Sequence, residues 1–98
     1  MKNYCQGDII RISGFKNLFL IVSKNSFINK TSVFHVCPVF DPYPAGPLHI
    51  PVEKFGIVIC EQIKLIDPNE RACSQKGRVA YSEIMNISDA IQGVFEYD

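Results

Sequence analysis

The feature that most restricts this chain is a series of short apolar runs separated by Gly and Pro, followed by a single stripe of helical period. Residues 18–23 (LFLIVS) are continuous, β-branched and of strand length, which predicts a buried central strand. Residues 8–13 (DIIRIS) alternate loosely and predict a first strand, with 14–17 as the turn after it. Residues 24–31, polar apart from Phe27 and Ile28, read as a loop that can hold one helical turn. Residues 32–39 (SVFHVCPV) form the third strand candidate. Pro38 within it donates no ladder hydrogen bond, so it marks an edge, a bulge or the strand end. The stretch 40–47 holds three prolines and a glycine and is a loop. Residues 48–52 (LHIPV) predict an edge strand because of Pro51, and 56–66 (GIVICEQIKLI) read as one long strand.

The tail changes period. Ile84, Ile87, Ile91, Val94 and Phe95 fall on one face of a helix, with Ser82 as the expected N-cap and Glu83 in the first turn. Strands separated by turns and closed by one helix specify an α+β fold with a barrel-like antiparallel sheet and a C-terminal amphipathic helix. The 98 residues suffice for one domain, taken as 1–98.

No apolar stretch approaches the ~20 residues of a membrane span. The polar opening MKNYCQGD lacks the apolar core of a signal peptide. Cys5, Cys37, Cys60 and Cys73 show no C-x-x-C spacing, and Cys37 and Cys60 lie within apolar runs where a thiol packs as a small hydrophobe. The expectation is a reduced cytoplasmic protein that uses no metal and no cofactor. Net charge is zero, but it is unevenly distributed. Residues 1–40 carry Lys2, Arg11, Lys16, Lys24 and Lys30 against Asp8, while 81–98 carry Glu83, Asp89, Glu96 and Asp98 and no base. A basic front is compatible both with phosphate binding and with an ordinary solvated surface.

Candidate chemistry is sparse. No Walker loop, H-E-x-x-H or G-x-S-x-G occurs. His35 and His49 lie between apolar neighbours and read as structural or half-exposed strand residues rather than catalytic bases. Glu61 follows four apolar residues. A carboxylate there either faces a cleft, where a shifted pKa suits a general base, or marks the strand emerging into solvent.

The ordered set Gly7-Asp8-Ile9-Ile10, Val36-Cys37-Pro38-Val39, residues 48–52, the acid-Gln-x-Lys segment 61–64 and Gly77-Arg78-Val79 resembles the MazF/PemK (Kid) family of toxin endoribonucleases. The resemblance implies an SH3-like β-barrel, a homodimer and a small antitoxin with an acidic disordered tail. It also implies cleavage of single-stranded RNA to a 2′,3′-cyclic phosphate. The family's catalytic arginine falls on Asn17, its catalytic Thr or Ser on Phe40, and a further arginine on Ile59, while the acid persists as Glu61. A site rebuilt on this scaffold would use Lys16 as the cation and Glu61 as the base. Arg11, Asn17, Lys24, Tyr43, Gln62 and Lys64 would then contact RNA. The competing expectation is a catalytically degenerate module binding RNA or protein on the same dimeric scaffold.

Overall fold

The computed structural model of the chain describes residues 3–95. The charged residues Lys2, Glu96 and Asp98 lie outside them. The elements in chain order are β1 (Asp8–Ile12), β2 (Leu18–Ile21), α1 (Asn25–Thr31), β3 (Phe34–Phe40), β4 (His49–Val52), β5 (Gly56–Ile59), β6 (Lys64–Ile66), β7 (Cys73–Arg78) and α2 (Tyr81–Val94). All strands pair antiparallel in the order β4-β5-β3-β2-β1-β7, and β6 joins β3 beside β5.

Strand alternation sends neighbouring side chains to opposite faces, and both faces are covered. Ile9, Leu20, Cys37, Val39 and Val58 meet Ile84 and Ile87 of α2 on one face. Ile10, Ile12, Phe19, Ile21, Phe34 and Val36 pack with Ile28 of α1 on the other. This double burial is why 18–21 is apolar throughout rather than alternating.

Several expectations need correction. The segment 24–31 contains a real helix, α1, whose Ile28 is buried under the second face. The segment 73–78, to which the sequence pattern assigns no element, forms β7, which pairs along β1. The helix α2 starts at Tyr81, so its N-cap is Ala80 and not Ser82. Glu83 still serves the helix start, its carboxylate accepting the Ala80 N–H at 3.0 Å and the Glu53 N–H at 2.7 Å. At the far end, Val94 and Phe95 are exposed, so the apolar face is buried only through its first turns.

The long strand expected at 56–66 is two strands. Val39 faces Val58, so an unbroken ladder would set Val36 against Glu61, but Val36 faces Lys64 and three residues are looped out. Pro38 explains the break. Val22 donates to the His35 carbonyl at 2.9 Å, and from that pair the ladder's alternation turns the Pro38 nitrogen away from β2. It therefore faces the β5 side, opposite Ile59, and has no hydrogen to give to the Ile59 carbonyl. The chain turns instead, with Gln62 N–H donating to the Ile59 carbonyl at 3.2 Å. Pro38 thus lies mid-strand, opposite the last residue of β5, where the ladder breaks. Pro51 does lie on an edge strand, β4, as expected.

The β4–β5 turn reaches the edge strand β7 through a side chain. The Phe55 ring occupies the place where a Cβ on Gly77 would stand, 2.5 Å from its Cζ. No ladder among the described residues joins β4 to β7, so the expected barrel is, in its hydrogen bonding, a curled open sheet.

Candidate functional site

The proline-rich loop after β3 ends in a tight reversal. Gly46 and His49 exchange backbone hydrogen bonds at 3.0 and 3.1 Å, which fixes His49 at the start of β4. His49 pairs across the ladder with Ile59, and the turn forced beyond Ile59 brings Glu61 to the imidazole. Both carboxylate oxygens lie on His49 Nε2, at 3.0 and 3.1 Å. The hydrogen bond from His49 holds the Glu61 carboxyl below the usual glutamate range. Glu61 is therefore an exposed, paired carboxylate on a turn, and neither a cleft-buried acid nor a strand residue.

Rings continue from this pair. Tyr43 packs edge-on against His49 with centroids 5.3 Å apart, and stacks on Phe40 at 5.6 Å and 25°. Phe40 then borders a groove of about 360 Å³ that also holds Lys16, Asn17, Asp41 and Phe55. Asp41 and Phe55 lead from this groove into a second, wider depression lined by Tyr43 and Lys54. The result is a strip running from the β1–β2 turn to the β5–β6 turn, with aromatic rings along its middle and a cation at Lys16. Such a strip offers stacking faces for bases and charge for phosphates.

The sequence-derived residues distribute unequally over this surface. Lys16 and Asn17 share the groove, and Arg11 donates to the Lys16 carbonyl at 3.1 Å. Asn17 Nδ2 donates to the Leu18 carbonyl at 2.8 Å. Tyr43 and Glu61 lie on the strip, and Gln62 is in the turn beside Glu61. Lys16 and Glu61 are separated by the Phe40, Tyr43 and His49 rings, so they do not face one another. Lys64 stands over the Phe15 ring at 5.4 Å with Arg71 at 5.0 Å, a pair of cation–π contacts to a ring packed against the α1-side core. Lys24 precedes α1, beyond the end of β2 opposite Lys16, and is not brought to this surface.

Sequence reasoning missed His49 as a member of the site, and also Lys54, Phe55 and Arg71. The partnership of His49 with Glu61 spans 12 residues and depends on the Pro38 gap, which leaves no local signal. Among the described residues no group of three His, Cys, Asp or Glu side chains is placed to hold a metal ion, and no helix is long and apolar enough to cross a membrane.

No family model matches the sequence, and no curated protein matches it. Solved structures do match in fold. A MazE–MazF complex from Deinococcus radiodurans superposes with a TM-score of 0.83 at 14% identity, covering 96% of each chain. An endoribonuclease from a mycobacterial species gives 0.81 at 18% identity, over 95% of this chain and 91% of that one. A mycobacterial endoribonuclease in complex with its cognate antitoxin gives 0.81 at 17% identity, over 98% and 100%. The fold is therefore that of the MazF toxins along nearly the whole chain.

Proposed function

We propose that this chain is a MazF-like toxin of a toxin–antitoxin pair that cleaves single-stranded RNA. The observation that carries the reading is the ring strip, Phe40–Tyr43–His49, joining the Lys16 groove to the Glu61 turn on a MazF fold. In the reaction the 2′-hydroxyl loses its proton and its oxygen attacks the adjacent phosphorus. The P–O5′ bond breaks, the 5′-oxygen takes up a proton, and a 2′,3′-cyclic phosphate remains. A base is supplied from the His49–Glu61 end, and Lys16 offers charge to the phosphate backbone. The proposal includes a cytoplasmic homodimer of one-domain chains and an antitoxin whose acidic tail covers the strip.

A second reading has its own observation. Asn17 spends its amide on the neighbouring backbone, Phe40 offers no polar atom, and Asp41 places a negative charge in the groove. These features favour a module that binds RNA or protein without cutting it. The test is single-turnover cleavage of a mixed-sequence single-stranded RNA by wild type, Lys16→Ala and Glu61→Ala, with a 2′-deoxy control. Cleavage that ends in a cyclic phosphate and falls in either variant supports the enzyme. RNA binding without cleavage, by a folded dimer, overturns it in favour of the module.

A further inference from the structure

We infer that His49 is the group that accepts the 2′-hydroxyl proton and that Glu61 acts through it as a positioning residue. The inference deepens the ribonuclease reading and rests on it. Both Glu61 oxygens converge on one atom, His49 Nε2. A carboxylate only accepts hydrogen bonds, so Nε2 carries the hydrogen, and the neutral ring has its lone pair on Nδ1. Nδ1 has no hydrogen-bond partner among the described residues. Gly46 lies beside it: a Cβ there would stand 3.8 Å from Nδ1, so the glycine puts no side chain against that nitrogen. Tyr43, edge-on at 5.3 Å, and the Gly46 backbone bridge hold the ring and its strand in place. Glu61 alone is poorly suited to the role, because the same hydrogen bond that orients the histidine lowers the carboxylate's basicity.

The 2′-oxygen's O–H bond breaks as the O2′–P bond forms, and the proton passes to Nδ1. The resulting imidazolium is stabilised through Nε2–H by Glu61, and it holds a proton that can return to the departing 5′-oxygen.

The test combines nitrogen-15 NMR of the imidazole with single-turnover RNA cleavage by wild type, His49→Ala, His49→Asn and Glu61→Gln. Neutral His49 in the wild type is expected to be protonated at Nε2 and bare at Nδ1, a preference that Glu61→Gln weakens. His49→Ala and His49→Asn are expected to lose on the order of 100-fold or more in cleavage rate. RNA affinity should change little, and added imidazole should restore part of the His49→Ala rate. A wild-type ring protonated at Nδ1, cleavage by folded His49→Asn at the wild-type rate, or a loss that imidazole does not restore would each overturn the assignment while leaving the ribonuclease reading in place. No cleavage of any RNA by wild type sinks that reading and this inference with it.

Discussion

Asp8 shows what a single residue can decide in so small a core. Its side chain is fully buried, yet it accepts hydrogen bonds from Cys5 N–H at 2.9 Å and Gln75 Nε2 at 3.0 Å, and pairs with Arg78 at 2.8 Å. Removing the carboxylate strands these donors, so Asp8→Ala should cost about 3 kcal/mol in urea unfolding. Asp8→Asn, which keeps an acceptor, should cost less. The buried thiols behave differently. Burial, reinforced by the neighbouring Cys60 and Glu61, pushes Cys37 up to about 12, and burial pushes Cys60 up to about 11. Mass spectrometry after alkylation at pH 8 should therefore find both unmodified in the native chain and modified in denaturant. That result was legible from their apolar flanks. Asp8's role was not, since two of its partners lie 67 and 70 residues away in sequence. Glu61 makes a third prediction. Its carboxyl is lowered by the His49 hydrogen bond, so the pairing stabilises the fold above the unfolded glutamate range and is lost as pH falls through the folded value. Carboxyl NMR titration should show His49→Ala moving Glu61 back up.

Among the elements, local period was readable wherever one element's own residues set it. The apolar run of β2 and the Ile84–Ile87 stripe of α2 needed no knowledge of partners. The helix α1 and strand β7 escaped notice because each has a weak pattern of its own and is held by packing and pairing from elsewhere. The split of β5 from β6 escaped for the same reason: Pro38 sits on a different strand. The approach of the β4–β5 turn to β7 is tested at Gly77. Gly77→Ala forces a Cβ into the Phe55 ring and should destabilise by about 1–3 kcal/mol in thermal or urea unfolding. Because the obstacle is that ring, Gly77→Ala combined with Phe55→Ala should cost less than the sum of the two single changes.

For the molecule as a whole, the proposed dimer predicts a light-scattering mass of twice the 11.1 kDa chain. Tyr81, Met85 and Phe95 of the α2 region are exposed large hydrophobics, consistent with a surface that a partner covers. The sequence by itself determined the fold class, the central buried strand, the amphipathic tail and the ordered motifs of a MazF-like chain, because those features are written in local periodicity and in residue order along one segment. The resemblance to the MazF/PemK family also implies that the family's catalytic Arg and Thr or Ser fall on Asn17 and Phe40. Only the tertiary structure decided which side chains come together near them. A proline without a hydrogen on β3 breaks the ladder, the break turns Glu61 back onto His49, and the loop after β3 brings Tyr43 between His49 and the Phe40 ring at the strand's end. No one of these residues signals the others, since what joins them is the register between strands, and register is set by pairing across the sheet rather than by any stretch of chain.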